Sequence, residues 1–452
     1  MLLSHSPARL SASFDEPNLL VSSGLVPAVR LAEKVGLPVL AAEHLSLPGP
    51  AGANAAAKVM SLVAGMAAGA DSIDDLDVVR HAAVGKVFSG TRAPSTLGTF
   101  LRSFTFGHVR QLDAVAGRTL AGLTTTAGVL PGIADGAVID IDDTVKGVYG
   151  PGKQGAEFGY TKIRGLNAQL ATISTRQAAP VIAATRLRRG AAHSAHGAVR
   201  MLHDAIATAR RCGASGPILV RADSAYCNSA ILRAIRAAGA NFSVGMPLNS
   251  RVRAAIAGID ESAWVRIDYP WAIPDPDTGE LISAAEIAEV DYTAFGSRRR
   301  SQQVTARLIV RRIPERNESK QDPLFAAWRY HALFTDNPAS LVDAESTHRG
   351  HAIVEQVIAD LKNSALAHLP SGRFTANAAW LVCAAIAFNL TRALGVLAGA
   401  QFTRATTATI RTRIINVPAR VASSARRLRL RLPRDWIWAH AWQRLWTAVM
   451  TS

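Results

Sequence analysis

Apolar residues recur at helical spacing through the first part of the chain and give way to strand-like alternation near residue 136. Ile73, Leu76 and Val79, then Leu97, Phe100, Leu101 and Phe104, follow the three-and-four spacing of a buried helical stripe. Ala93-Pro94-Ser95-Thr96 ahead of the second stripe offers a serine cap. Residues 1–130 are therefore expected to form short helices separated by turns. Beyond them the period changes. The run from Ala137 to Asp142 reads as a strand, and Phe158–Ile163, Gln169–Ser174 and Val181–Leu187 read as an antiparallel meander. A helix over Ala198–Cys212, a strand over 217–222, a helix from about Asn228 to Ala238 stopped by Gly239, and a strand over Asn241–Met246 complete a crossover. The class is α/β, a mixed sheet with covering helices.

This first part of the sheet domain spans 131–262. The stretch 263–335 alternates again, through Trp264–Tyr269, Gln303–Val310 and Tyr330–Phe334, and reads as a β-rich insertion with an exposed turn at Pro314–Gln321. Residues 336–400 return to helices, one carrying Glu355 and a long apolar one from Asn377 to Leu397 expected to pack behind the sheet. A basic segment, 401–452, follows. Two apolar runs resemble membrane spans, Ala53–Ala70 and Ala376–Leu390. The first is interrupted by Lys58 and the second is short, so both read as buried helices and no membrane is expected.

Charge narrows the function. The 452 residues carry 50 Lys and Arg against 34 Asp and Glu, a net +16, which favours a polyanionic partner, with nucleic acid the commonest. The N-terminal helices then read as a helix-turn-helix-like DNA-binding region, the alternative being a plain helical bundle. In the basic segment, Leu428-Arg429-Leu430-Arg431-Leu432 alternates arginine with leucine, so Arg429 and Arg431 are candidate phosphate contacts on one face of a strand. Three cysteines (Cys212, Cys227, Cys383) form no CxxC pair; with no signal-like N-terminus, this points to a reducing cytoplasm.

Three carboxylates carry the candidate chemistry. Asp142 and Asp223 each close an apolar strand-like run, and Glu355 sits on a helix. Two strand-end aspartates and a helix-borne glutamate, far apart in sequence, suit a site that holds two divalent cations, Mg²⁺ or Mn²⁺, on a phosphodiester. Asp140 shares a strand face with Asp142 and is an alternative first ligand. Asp223 has a plainer alternative as a helix cap. His348, His351, Glu355 and Lys362 follow at steps of three, four and seven, which puts them along one helix face. A zinc site at His348/His351 or His193/His196 lacks thiolate partners. Trp264, Trp271 and Trp328 are either core residues or platforms for a nucleobase.

In their order these pieces resemble bacterial insertion-sequence transposases with an RNase H-like DDE domain, of the group-one DDE type. The resemblance lies in Asp140-Ile141-Asp142-Asp143-Thr144, Phe158-Gly159-Tyr160, Arg221-Ala222-Asp223-Ser224-Ala225-Tyr226, His348-Arg349-Gly350-His351 with Glu355 and Lys362, and Phe374–Trp380. It implies an RNase H-like mixed sheet and a metal-binding triad of Asp142, Asp223 and Glu355, with Thr144 as the hydroxyl after the first aspartate. Relatives carry Tyr-x-x-Arg-x-x-x-Glu-x-x-x-x-x-x-Lys at the third carboxylate. Here His348 and His351 occupy the Tyr and Arg positions, so Arg349 or a protonated histidine would take the DNA-backbone role, and Lys362 matches. The implied activity is cleavage at the ends of an insertion sequence and transfer of the 3′-hydroxyl into target DNA. Its partners would be double-stranded DNA, as terminal inverted repeats and target, and a second copy of the chain, because synapsis of two ends needs at least a dimer. Two alternatives stand beside it, a metal-dependent DNA nuclease of the same fold and a non-catalytic DNA-binding derivative.

Overall fold

One mixed sheet organises the chain in a computed structural model that describes residues 1–267, 285–314 and 328–451. Its main strands are Ala137–Gly147 (β1), Arg164–Ser174 (β2), Val181–Arg189 (β3), Ile218–Ala222 (β4), Asn241–Met246 (β5), Ala285–Ala294 (β6), Val304–Pro314 (β7) and Trp328–Thr335 (β8). They lie side by side in the order β3-β2-β1-β4-β5-β8-β7-β6, and the short strands Glu157–Phe158 and Val265–Ile267 bring the total to ten. The pairs β1/β4 and β4/β5 are parallel, and the rest are antiparallel. The central strands are buried almost continuously along their length, as expected of strands covered on both faces. The strands of the insertion build outward from β5 through β8, so they extend the central sheet. The expected turn at 314–321 falls, past Pro314, outside the described residues. The expected strand at 158–163 shrinks to Glu157–Phe158, and the chain turns there through Lys162 at a positive φ of 56°.

Helices Leu25–Lys34 (α1), Leu37–His44 (α2), Ala55–Ala68 (α3), Pro94–Arg102 (α4) and Phe106–Ala127 (α5) precede the sheet. Ala198–Arg211 (α6) and Ser229–Ala237 (α7) make the crossovers, and Leu341–Arg349 (α8), Ile353–Lys362 (α9), Phe374–Ala398 (α10) and Ala439–Met450 (α11) follow. The N-terminal helices share one continuous core with the sheet: α5 and α3 pack against α10, which covers β3. Helix α4 starts at Pro94 with Ala93 before it, so proline at the first helical position, and not a Ser95 cap, sets its start. Lys58 is buried in α3, its ammonium donating to the Ala51 carbonyl (2.7 Å) and lying 5.3 Å from the Phe100 ring centroid. Among the described residues α10 is long and apolar enough to cross a membrane, but its apolar window is 89% buried inside the fold. From α10, the Asn389 amide pairs both the N–H and the C=O of Ile182 at 2.8 Å, satisfying edge strand β3 as a neighbouring strand would.

The basic segment forms a hairpin, Ala419–Ser424 (β9) and Arg427–Arg431 (β10), joined through Ala425 and Arg426 at φ 48° and 64°. Two positive φ values in a two-residue loop match the twist of the flanking strands. Leu19–Leu20 adds a third strand beside β9.

Candidate active site

The parallel register of β1 and β4 places Asp142 beside Asp223. Residues 137–141 pair with 218–222, ending at Ile141 opposite Ala222, so the next residue on each strand is one of the two aspartates. Neighbouring strands lie about 4.8 Å apart, which puts the two carboxylates within each other's field. Burial, and then the charge of Asp223, push the Asp142 carboxyl up to about 6, against the opposing hydrogen bond from the Asp143 N–H (2.7 Å). Burial likewise raises Asp223, and the nearby His351 pulls it back. Asp142 does not end its strand: β1 runs on to Gly147, paired with β2 throughout, and Thr144 follows on the face shared by Asp140 and Asp142. Asp223 does act as a cap, its Oδ1 accepting from the Ala225 N–H at 3.0 Å. A carboxylate has two oxygens, so the cap engages one of them.

Asp143 points to the opposite face of β1. There it accepts from the Tyr226 hydroxyl (3.0 Å), from Arg188 (2.9 Å) and from Asn167. Tyr226 is fully buried three residues after Asp223, so this bond ties the two aspartate-bearing segments together from beneath.

Asp140 is fully buried. The Arg221 Nε and Nη2 donate to its Oδ1 and Oδ2, both at 2.7 Å, and the His351 Nδ1 lies 2.8 Å from Oδ1. Both oxygens are thus engaged within the protein.

The third carboxylate stands apart. Helix α9 packs against β1, but Glu355 is exposed on it, and among the described residues no three His, Cys, Asp or Glu side chains gather closely enough to hold a metal ion. The helical stripe expected from His348 to Lys362 is also interrupted. A 3-10 turn, Gly350–Ala352, separates α8 from α9, so the two histidines do not continue the face of Glu355. The His348 Nδ1 lies 3.0 Å from the Ser243 hydroxyl, and burial, followed by the charges of His351 and Arg221, pushes its pKa down to about 4. His348 and His351 are thus both half-buried and hydrogen-bonded within the protein, at the edge of the cleft beside Asp223. Arg349 pairs with Glu345 (2.8 Å), which also meets Arg311 of β7 (3.3 Å), linking α8 to the insertion. Lys362 lies near Asp142, its pKa lowered by burial and by Lys146 and partly restored by that aspartate.

A cleft of about 380 Å³ opens beside Asp223, walled by Arg311, Tyr330 and His331 of the insertion and by Arg349 and His351. Trp264 and Trp328 lie outside it. The Arg312 guanidinium is 4.2 and 4.3 Å from their ring centroids, so both indoles already stack on a cation. Trp271 is outside the described residues. In the hairpin, Arg427, Arg429 and Arg431 are exposed, and Arg420 stands opposite Arg431. Sequence reasoning missed the partnership of Asp140 with Arg221. The signal was present, because each precedes its aspartate by two residues, and a register that aligns one pair aligns the other.

A family model for the transposase DDE domain, group 1, matches residues 6–451. The chain belongs to that family. Its ten-stranded mixed sheet with flanking helices is the RNase H-like arrangement of a DDE domain. Membership makes this a transposase-type, nucleic-acid-processing chain whose family implies DNA as partner and a divalent metal as cofactor. No curated protein matches the chain.

Proposed function

We propose that the chain binds the ends of an insertion sequence, cleaves them and transfers the resulting 3′-hydroxyl into target DNA. The observation that carries this reading is the adjacency of Asp142, half-buried, and Asp223, at the protein surface, two carboxylates whose raised pKa values mark a site short of positive charge. Their all-oxygen donor set fits Mg²⁺ or Mn²⁺, with Glu355 as the third donor from α9. A divalent ion there supplies neutralisation of phosphodiester charge and acidification of a bound water. The chain's own residues do the positioning. Asp142 and Asp223 sit on a rigid parallel pair, and Tyr226 and Asp143 hold their backbones in register. Arg311 and Arg349 place positive charge on the wall of the cleft next to Asp223, where a DNA strand would run. Lys362 adds an ammonium near Asp142. Synapsis of two ends requires at least two copies of the chain.

The test pairs labelled element ends with a target plasmid. Joined product is expected, and it should vanish in Asp223→Asn while retarded end–protein complexes persist. Cut ends without joined product would identify a nuclease, and complexes without any cut would identify a non-catalytic DNA-binding protein.

A further inference from the structure

We propose that Asp140, Arg221 and His351 form a buried latch that sets the position of helix α9, and with it Glu355. They act as positioning residues rather than as metal ligands or DNA contacts. The proposal rests on the reading of Asp142, Asp223 and Glu355 as the metal-binding set.

Four observations converge on the short turn between α8 and α9. The Arg221 guanidinium grips Asp140 with two parallel bonds of 2.7 Å, and its remaining Nη1 donates to the Thr347 carbonyl at the end of α8. The fork geometry of arginine allows both at once, which lysine does not. From the turn itself, His351 lies 2.8 Å from Asp140. A carboxylate at that distance only accepts, so Nδ1 carries the proton and the ring orientation is set. Gly350 completes the fit: a Cβ there would stand 2.5 Å from the Arg221 Nη1. One strand further across the sheet, in register with Arg221, Ser243 of β5 holds His348. The segment 347–351 is therefore fixed to β1, β4 and β5 by side chains that reach no solvent-facing ligand.

Glu355 follows His351 by four residues, about one helical turn. The azimuth of α9 as it leaves the turn thus decides where Glu355 points. The same strands that carry Asp142 and Asp223 carry Asp140 and Arg221 two residues earlier, so the latch references the third carboxylate to the very strands that hold the other two. In this chain the two histidines do mechanical work through hydrogen bonds to the sheet, in the stretch where the resembled pattern has a tyrosine and an arginine.

The test uses the full chain, Mn²⁺ calorimetry and hydrogen exchange of the amides in 347–362. His351→Ala should speed exchange across that segment and weaken Mn²⁺ binding roughly tenfold, the scale of outer-shell losses in metal sites. The amides of α10 should stay unchanged, reporting an intact core. His351→Asn keeps an N–H close to the place of Nδ1, and it should restore both readouts. Restored exchange with Mn²⁺ binding still lost would mean that the other ring nitrogen matters, and it would overturn the latch. Unchanged exchange in His351→Ala would also overturn it. Arg221→Lys, which preserves the charge but not the fork, should behave like His351→Ala. Glu355→Gln separates the two layers of the argument. If it leaves Mn²⁺ affinity untouched while His351→Ala still loosens the segment, the metal-binding set is wrong and the anchoring of α9 survives as a structural fact alone.

Discussion

The two halves of the candidate site are built on different principles. Asp142 and Asp223 stand on adjacent parallel strands whose backbone hydrogen bonds fix their separation, and a change of register by one residue would turn both to the other face. Glu355 stands exposed on a helix that meets the sheet through a handful of side chains, and among the described residues it gathers with no second and third metal-binding side chain. One half is specified by main-chain pairing, the other by Arg221, Asp140, His351 and Gly350. The lesson is that a strand-borne pair is preformed at the cost of setting like charges side by side, whereas a helix-borne ligand keeps freedom and needs an anchor.

The sharpest way to break that contrast is to neutralise each half. Asp142→Asn or Asp223→Asn should lower end cleavage by about 10³-fold or more, equivalent to roughly 4 kcal/mol of activation free energy, and should abolish Mn²⁺ binding by the free protein. Glu355→Gln should cost cleavage as heavily but weaken Mn²⁺ binding of the DNA-free protein only about tenfold. Equal loss of Mn²⁺ binding from all three variants would erase the distinction between a preformed and an ungathered half.

Next in size is a pH effect on the helix side. His348 is held neutral, with a folded pKa of about 4 against 6.5 for the free side chain. A depressed folded value means its contribution is intact above pH 6.5 and is lost as the pH falls toward 4, because the unfolded chain takes up a proton that the native chain refuses. The full loss is on the order of 3 kcal/mol. Asp142 works in the reverse sense. Its raised value of about 6 favours the folded state below the ordinary aspartate range, and that contribution disappears as the pH rises through 6. His348→Gln should therefore remove the acid-side loss and leave the Asp142 contribution visible in urea melts between pH 4 and 7. Parallel curves for variant and parent would show that His348 is not the buried neutral group described.

Smaller again is the effect of closing the space that Arg221 uses. Gly350→Ala puts a methyl group 2.5 Å from the guanidinium. The strain should destabilise the protein by about 1–3 kcal/mol, read as a lowered Tm, with faster exchange confined to 347–362. A methyl group accepted without loss would mean the turn is loosely packed and the helix half lacks the anchor assigned to it.

Much of this was legible from the chain alone, and the exceptions have physical causes. Strand periods and turn residues marked β3 to β5 and the helices α6 and α7 closely, because each is short, buried and bounded by glycine, proline or asparagine, whereas β2 begins five residues before the expected Gln169. Asp142 and Asp223 stood out because each follows an apolar run, and the parallel register places them side by side. The continuous helical stripe through His348 and Glu355 was misleading for a tertiary reason. Spacing along the sequence allowed an unbroken helix, but the chain tightens into a 3-10 turn at Gly350, where Arg221 from a distant strand packs close against the backbone. The partners of Asp140 were hidden for the same reason: nothing local to β1 reveals that arginine and histidine bond its oxygens. The N-terminal helices looked like a separate module because their own pattern is amphipathic, yet the face they bury is supplied by α10, more than two hundred residues later.

The smallest expected effect concerns a region that neither half of the site touches. On the β9/β10 hairpin, Arg427, Arg429 and Arg431 alternate on one face of a strand, with Leu430 packed inward against the small cluster around Leu20 and Val421. Arg420 stands directly opposite Arg431, and the 3.5 Å contact of Arg420 with Glu16 offsets only part of that repulsion. Like charges facing each other across a strand pair are unfavourable unless an anion lies between them. A DNA phosphate would relieve the cost, and each neutralised phosphate releases condensed counterions. Arg429→Gln with Arg431→Gln should therefore weaken duplex binding and lower the slope of log K against log salt by about 2, one unit for each contact. The Mn²⁺ affinity of the DNA-free protein should not move, because the hairpin holds no residue of the carboxylate site. If the slope stays the same, the hairpin is a solvated edge whose charge keeps other strands away, and phosphate contacts must be sought along the cleft wall formed by Arg311 and Arg349.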